Sequence, residues 1–527
     1  MVKLNSGKRG YVLFLVCAAT AIASPAQTFT TPHSGSITRV VPNETIALPT
    51  QTFTTLHSFD GTDGANPGYE SLVQGIDGNF YGTTFHGGTS SACTGGCGTV
   101  FKMTPGGTLT TLHSFDGADG AVPFEGLVLA TNGNFYGTTS AGGANGDGTV
   151  FEITPAGKLT TLHSFDGTDG CHPYAGLVQA ANENFYGATP FCGAYDDGTV
   201  FEITALGALT TLHHFNNPGG APGPNFPLVQ SINGNLYGET YVGGTYGDGT
   251  VFEITAGGTL TTLHNFDGTD GEGLAGLALA TDGNFYGPTY SGGANNTCTG
   301  DTLRGCGTVF KITPGGTLTT LYSFCTRTGC TDGEGPTDAG LVQATNGRFY
   351  GTTSSGGPYN SSGCTWLGDV GCGTVFQITA GGTLTTLHSF DVTDGSEPIG
   401  GLVQATDGKF YGTTFYGGAS GAGTVFSLSV GLGPFVETLP TSGKVGTTVI
   451  ILGNNLTSAT SVSFNGTAAP FKVVSNSEIT AVVPFGATTG RVQVVTTRGS
   501  FSSKVPFRVV PCPSCFSPMS PVGESGD

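Results

Sequence analysis

One short run, Gly-Thr-Val-Phe, occurs seven times in this chain and sets a period that any fold must accommodate. It begins at Gly98, Gly148, Gly198, Gly249, Gly307, Gly373 and Gly423. Two other runs also recur seven times, Thr-Thr-Leu followed by His or Tyr, and Asn-Phe-Tyr-Gly with its variants. A period of about 50 residues is too long for one coil of a solenoid and is typical of a β-propeller blade.

Each period contains four short runs rich in Val, Ile, Phe, Tyr and Thr, which predict four β-strands. Asn-Gly or Asp-Gly separates the first two runs in most repeats, as at Asn132-Gly133 and Asp282-Gly283, and such pairs favour tight hairpin turns. The 91 glycines of the 527 residues lie between these runs, so they indicate turns and not disorder. The repeats therefore predict an all-β fold of antiparallel four-stranded sheets.

The two ends of the repeat array complement each other. The array begins with a fourth strand at residues 51–60 and ends with a third strand at residues 423–428. The last blade thus lacks one strand, and the start of the array supplies it, which removes an open sheet edge. We expect a seven-bladed β-propeller over residues 51–430, closed by its N-terminal strand.

The period stops in the region after the array, residues 433–510. Short strand-like runs there alternate with Gly and Asn turns, for example at residues 443–453, 462–466 and 479–484. Over about 80 residues this pattern predicts a β-sandwich. Residues 27–50 and 511–527 are expected to be a linker and a flexible tail.

The repeats resemble the GloVer tandem-repeat family of secreted bacterial proteins. The matching runs include residues 176–178 (Gly-Leu-Val), 184–187 (Asn-Phe-Tyr-Gly) and 198–201 (Gly-Thr-Val-Phe), and the resemblance covers about residues 51–430. It implies the fold and secretion but no activity. The C-terminal region resembles the IPT/TIG domain, which implies an immunoglobulin-like sandwich of the kind found in extracellular proteins.

The first 26 residues have the pattern of a secretory signal peptide. Lys3, Lys8 and Arg9 precede an apolar run over residues 11–23, which is too short to span a bilayer. Cleavage is expected after Ala23 or Ala26. We therefore expect a protein that is secreted or held at the cell surface and is not transmembrane.

Charge and cysteine content agree with export. The chain has 36 acidic and 17 basic residues, a net charge of −19, and shows no basic patch that would indicate a nucleic-acid partner. Without Cys17 of the signal, twelve of the 13 cysteines remain, an even number that favours disulfides in an oxidising compartment. The expected pairs are Cys93–Cys97, Cys171–Cys192, Cys298–Cys306, Cys325–Cys330 and Cys364–Cys372. Cys512 and Cys515 of the tail form a lone Cys-x-x-C pair, which would supply only two of the four ligands of a zinc site.

Propeller topology places the loops of variable length on one face, which is the candidate binding face. The longest loops span residues 291–306, 325–338 and 354–372. They contain Arg304, Arg327 and Trp366, the one tryptophan of the chain. These three residues are the candidate ligand-binding residues, because Trp and Arg are frequent in recognition sites. The alternative is that the loops pack on one another around Trp366.

Other repeated residues have two interpretations each. The Asp-Gly-x-Asp-Gly loops, as at Asp60 and Asp63, resemble calcium-binding loops but lack the later bidentate Glu, which favours turns in which Asp binds the backbone. Aromatic residues before the first strands could stack on sugars or plug the blade tops: Tyr69, Phe124, Tyr174 and Phe226. The His residue repeated in the fourth strands is interpreted as structural. No motif predicts a catalytic residue, a metal site or a cofactor.

These observations favour a non-catalytic binding or scaffold protein outside the cell, with a carbohydrate or cell-surface glycan as the expected ligand. Two alternatives stay open: a polysaccharide lyase or glycoside hydrolase, and a structural adhesin or matrix component. The sequence does not indicate an oligomeric state.

Overall fold

The computed structural model describes residues 51–69, 71–216, 223–295, 298, 305–336, 340–359, 364–366 and 369–511. The expected signal peptide, the linker, Arg304 and the Cys512/Cys515 tail lie outside these residues. The described part consists of β-strands and two 3₁₀ turns, Thr328–Cys330 and Leu456–Ser458, and contains no α-helix. The prediction of an all-β fold is confirmed. Within the described residues, no helix has the length and apolar character needed to cross a membrane.

Seven antiparallel sheets form the repeat array, and each has four main strands. The strands of sheets one to four are Val73–Gln74, Phe80–His86, Thr99–Met103 and Leu109–Ser114; Val128–Leu129, Phe135–Thr139, Thr149–Ile153 and Leu159–Ser164; Val178–Gln179, Phe185–Thr189, Thr199–Ile203 and Leu209–His214; and Val229–Gln230, Leu236–Thr240, Thr250–Ile254 and Leu260–Asn265. Those of sheets five to seven are Ala278–Leu279, Phe285–Ser291, Thr308–Ile312 and Leu318–Ser323; Val342–Gln343, Phe349–Ser355, Thr374–Ile378 and Leu384–Ser389; and Val403–Gln404, Phe410–Thr414, Thr424–Ser429 and Thr52–Ser58. Sheets one, five and six each add one short strand: Ala65–Pro67, Glu272–Leu274 and Glu334–Pro336.

The repeated Gly-Thr-Val-Phe run begins the third strand of each sheet, and each residue has a separate role. Gly98 has a φ of 91°, and a Cβ atom there would lie 2.4 Å from the carbonyl oxygen of Thr84. The Thr99 and Thr84 hydroxyls form a buried hydrogen bond of 2.8 Å. Val100 and Phe101 are fully buried in the core. Equivalent Thr–Thr pairs occur in all seven sheets, so the run specifies both a turn and a packed strand.

Contacts between neighbouring sheets repeat around the array and join the last sheet to the first. The Tyr81 ring packs on Phe135 of the next sheet at 4.0 Å, and the Tyr411 ring of sheet seven packs on Phe80 of sheet one at the same distance. The Thr406 N–H of sheet seven likewise donates to Gln74 Oε1 of sheet one at 2.9 Å. Thr52–Ser58 pairs antiparallel with the third strand of sheet seven, as the repeat count predicts.

The C-terminal region contains two four-stranded sheets that share one core. One sheet comprises Glu437–Leu439, Thr448–Leu452, Glu478–Val482 and Phe471–Val473, and the other comprises Thr467–Ala468, Ala459–Phe464, Val492–Thr496 and Gly499–Ser502. Ser442–Lys444 pairs in parallel with Arg508–Val510. Val449 and Ile451 of the first sheet and Val462 and Val494 of the second are buried together.

This region packs against the first strands of several repeat sheets. Ser477 Oγ donates a hydrogen bond of 2.8 Å to the Ile76 carbonyl oxygen, and Leu452 is buried in the core cluster of sheets one and two. A cavity of about 390 Å³ between them is lined by residues such as Gly126 on the repeat side and by Leu439 and Leu452 on the C-terminal side. The C-terminal region therefore contacts the repeat sheets and shares one cavity with their first strands.

Candidate functional site

Residues from all seven repeats meet in one cavity of about 440 Å³, which we call the central pocket. It lies where the first strands begin and the second strands end, on the side of the variable loops. Eight of its fifteen lining residues are aromatic: Tyr69, Phe124, Tyr174, Phe226, Tyr241, Tyr290, Phe415 and Tyr416. Small or polar residues, Ser354 and Ser355 among them, complete it.

Three of these rings form a continuous stack across sheets one to three. Tyr69 and Phe124 lie 4.1 Å apart with ring planes 5° from parallel, and Phe124 and Tyr174 lie 4.6 Å apart at 26°. The Tyr69 N–H donates to the Phe124 carbonyl oxygen at 3.1 Å, which fixes the spacing of these two repeats. All three side chains are only partly buried. They thus pack on one another, as residues that fill the tops of the blades would. Each side chain still has some exposed surface at the pocket.

The polar side chains of the pocket are tyrosine and serine hydroxyls, one amide and one carboxylate. Glu397 lines it, and the pKa of the neighbouring Tyr416 is raised by burial and further by the charge of Glu397. The Asn225 Oδ1 atom is buried and has no hydrogen-bond partner among the described residues. No Lys, Arg or His is among the described residues that line the pocket.

Two buried carboxyl groups belong to residues that lie within two positions in sequence of the pocket lining, Glu125 after Phe124 and Glu239 before Tyr241. Glu125 follows Phe124 of the pocket and precedes Gly126 of the cavity at the other end. It is 1% exposed, and neither of its carboxyl oxygens has a hydrogen-bond partner among the described residues. It therefore lies between the two cavities with an unsatisfied side chain.

Glu239 occupies a position that holds Thr in four other sheets, opposite the Val of the repeated run. Its Oε2 atom accepts a hydrogen bond of 2.7 Å from the Gly276 N–H of the next sheet, while Oε1 is buried without a partner among the described residues. Burial raises the pKa of Glu239 to about 8. This carboxyl group is therefore largely protonated at neutral pH.

The three sequence-predicted site residues are not brought together in the described structure. Arg327 is exposed just before the Thr328–Cys330 turn and does not line the central pocket. Trp366 lies in a short hairpin of Thr365–Trp366 and Asp369–Val370, and its side chain, like Arg304, lies outside the described part. The ends of this hairpin loop, Cys364 and Gly371, do line the pocket. The binding role of the three residues stays a prediction.

Ten cysteines of the described part form five disulfides, in the pairs that sequence proximity and topology favoured. They are Cys93–Cys97, Cys171–Cys192, Cys298–Cys306, Cys325–Cys330 and Cys364–Cys372. The last one closes the loop that borders the central pocket. It therefore restricts one wall of the site.

Sequence reasoning missed the pairing of the repeated His with an Asp six residues later. The His Nε2 and Asp Oδ2 atoms lie 2.6–2.8 Å apart in His57–Asp63, His113–Asp119, His163–Asp169, His264–Asp270 and His388–Asp394. Where Tyr322 replaces His, its hydroxyl donates to Asp332 at 2.6 Å. The constant spacing of six was visible in the sequence and is the signal that would have found these pairs.

The first Asp of each acidic loop binds the local backbone. Asp166 Oδ1, for example, accepts hydrogen bonds from the Thr168 N–H at 2.9 Å and from the Thr168 hydroxyl at 2.7 Å. Hydrogen bonds from Thr168 and Asp169 lower the pKa of this carboxyl group. The geometry is that of the Asx turn favoured over a calcium loop.

Fold and pocket define a class: an all-β repeat protein whose four-stranded antiparallel sheets jointly enclose one central pocket. The chain belongs to the Gloeobacter/Verrucomicrobia repeat family, which it matches over residues 30–183, 85–301 and 298–473. This agrees with the resemblance drawn from the repeated runs. No curated protein matches the chain.

Several solved structures are similar to it at low identity. The periplasmic gluconolactonase of Pseudomonas aeruginosa has 15% identity and a TM-score of 0.41, over 69% of this chain and 96% of that one. PorZ, a surface component of the type-IX secretion system of Porphyromonas gingivalis, has 14% identity and a TM-score of 0.44, over 86% and 61%. Hydrazine synthase of Kuenenia stuttgartiensis has 13% identity and a TM-score of 0.46, over 70% and 97%. At these values the activities of these proteins carry no argument about this chain.

Proposed function

We propose that this chain is a secreted or surface-associated binding protein that holds a carbohydrate in its central pocket. In this proposal the seven sheets are the blades of one β-propeller over residues 51–430, closed by the N-terminal strand. Residues 433–510 are an immunoglobulin-like sandwich of the IPT/TIG type. The contacts that join sheet seven to sheet one, and the shared core of the two C-terminal sheets, support this division.

The aromatic wall of the central pocket is the observation that carries the proposal. Sugar rings present apolar C–H faces and polar edges, and a partly exposed aromatic ring buries such a face favourably. The stacked Tyr69, Phe124 and Tyr174 rings cover one another's faces but form a continuous apolar part of the wall, and five further aromatic residues line the pocket outside the stack. Asn225 and Glu397 supply the few polar groups that orient a ligand in a mostly apolar site.

Export is supported by the five disulfides and by the signal-like N-terminus. N-terminal sequencing of the exported protein tests cleavage after Ala23 or Ala26. Peptide mapping without reductant tests the disulfides. Free thiols at these ten positions in the exported protein would contradict this part of the proposal.

A glycan array probed with the mature protein tests the proposed function. We expect binding to a defined set of glycans and its loss in Phe124→Ala, which removes the middle ring of the stack. Phe485→Ala is the matched control, because Phe485 lies in the C-terminal region and is 85% exposed. Equal binding by the wild-type protein and Phe124→Ala would place the sugar elsewhere.

One observation favours an enzyme as the second candidate. Glycoside hydrolysis uses a protonated carboxyl group together with a second carboxylate, and Glu239, two residues before Tyr241 of the pocket wall, is protonated at neutral pH because burial raises its pKa to about 8. Release of reducing sugar from any array hit, abolished in Glu239→Gln, would establish this alternative. Binding without release supports the non-catalytic protein.

A further inference from the structure

The charge of the central pocket bears on which sugars can enter it. Glu397 is its one charged residue among those described, and no basic side chain accompanies it there. An acidic sugar would meet a carboxylate and would find no described cation to pair with. A ligand with positive charge has neither disadvantage.

The hydrogen-bonding groups point the same way. Asn225 lines the pocket, and its Oδ1 atom is a buried acceptor without a donor among the described residues, whereas the unsatisfied oxygens of Glu125 belong to a residue that does not line the pocket. Buried acceptors of this kind are costly unless a ligand or water supplies donors. A group that only donates hydrogen bonds would satisfy Asn225 Oδ1, and its positive charge would be attracted to the Glu397 carboxylate.

The aromatic wall also favours a cation. The face of an aromatic ring is negative, so an ammonium group within about 6 Å of a ring centre is attracted to it. The stack covers both faces of Phe124, but Phe226, Tyr241, Tyr290, Phe415 and Tyr416 line the pocket outside it, so a cation there lies among several rings. Charge, acceptors and ring faces are separate properties of the pocket, and all three select the same chemistry.

We infer that the ligand group held in the central pocket is a primary amine in its ammonium form, as carried by an amino sugar that is not acetylated. This inference rests on the proposed function and narrows it to basic glycans. Glu397 is the residue that distinguishes the amine from its acetylated form. The aromatic stack contributes to binding of both forms.

Calorimetric titration of the mature protein with three pentasaccharides tests the inference: glucosamine, N-acetylglucosamine and galacturonic acid. At a mildly acidic pH, where the amine is charged, we expect the glucosamine pentamer to bind at least about tenfold more tightly than the acetylated one. Added salt should weaken binding of the glucosamine pentamer more than that of the acetylated one, because only the former is charged. Galacturonate should bind most weakly.

Two variants separate the contributions. Glu397→Gln keeps the shape of the side chain and should bring the two glucosamine-type affinities together, whereas Phe124→Ala should weaken both. Phe485→Ala should change neither. Equal wild-type affinity for the amine and its acetylated form, or tighter binding of galacturonate, would overturn the inference and leave the sugar-binding proposal intact. Absence of binding by all three pentamers would also overturn the inference, whereas the proposed function fails only if the glycan array shows no binding.

Discussion

At the residue scale, the repeats bond many of their recurrent polar side chains in the same way, and Glu239 and Glu125 depart from that pattern. The Thr83 and Thr138 hydroxyls, opposite the repeated Val, donate to backbone carbonyls of the next sheet. Glu239 stands at the same position and accepts a backbone N–H of the next sheet instead. One oxygen of Glu239 and both of Glu125 are left without partners among the described residues. Such departures from a repeat mark the positions where function can differ from scaffold.

Glu239 gives the fold a pH dependence of known sign. Burial raises its pKa from 4.5 to about 8, so the folded chain holds a proton that the unfolded chain releases between these values. Its contribution to the free energy of unfolding is therefore lost as pH rises from 4.5 towards 8, at about 1.4 kcal/mol per pH unit. Glu239→Gln cannot ionise. We expect the difference in melting temperature between this variant and the wild type to grow in favour of the variant across that range, and a constant difference would contradict the account.

The Asx turns make the stability of the fold depend on pH in the acidic range. Hydrogen bonds, first of all from Thr168, lower the pKa of Asp166 below 3.8, so its contribution is present above 3.8 and is lost as pH falls below that value. Asp166→Ala removes the acceptor and should lower the urea midpoint at neutral pH. Asp166→Asn keeps an acceptor oxygen and should retain most stability while losing the acid-dependent part. If both variants match the wild type at neutral pH, the turn does not stabilise the fold.

At the scale of elements, disulfides hold loops on the side of the central pocket. Cys171–Cys192 closes a separation of 21 residues across two strands, whereas Cys93–Cys97 closes a separation of 4. Loop-closure entropy predicts a stabilisation of about 3 kcal/mol for the longer loop and about 2 kcal/mol for the shorter.

Paired Cys→Ser variants of each disulfide measure this difference. We expect the Cys171/Cys192 variant to lose more unfolding free energy in urea titration than the Cys93/Cys97 variant. The second variant is the control for the general effect of replacing cysteine. The reverse order would show that packing, and not loop closure, sets the contribution of these disulfides.

The sequence predicts the strands well because each residue of the repeated runs has a structural role that depends on its near neighbours in the chain. Gly98 allows a turn, and Val100 and Phe101 fill a core, so the elements follow from short-range rules. The central pocket could not be placed in this way. Tyr69, Phe124 and Tyr174 are about 50 residues apart and meet only because consecutive sheets converge. Glu239 was visible in the sequence as a departure from the repeated Thr, but its lack of a partner for one oxygen, like that of Glu125 for both, appears only in the structure.

For the whole molecule, the strand Thr52–Ser58 joins the two ends of the array. Its Phe53 ring stacks on His388 of sheet six at 3.7 Å, and Phe59, next to the strand, is fully buried. Deleting residues 51–60 should therefore destabilise sheets far from the deletion, because each sheet is supported by two neighbours. Hydrogen exchange in sheet four is the readout. Unchanged protection there would show that the sheets unfold independently.

The central claim is that residues from all seven repeats form one ligand site on the side away from the C-terminal region. Hydrogen exchange of the mature protein, with and without a glycan identified on the array, tests it most directly. The account predicts that ligand slows exchange in peptides around Tyr69, Phe124 and Tyr174 and again around Glu397 and Phe415, which lie far apart in sequence. Slowed exchange confined to the segments around Arg327 and Trp366 would place the ligand on the disulfide-closed loops that contain these residues. That result would contradict the central pocket as the site.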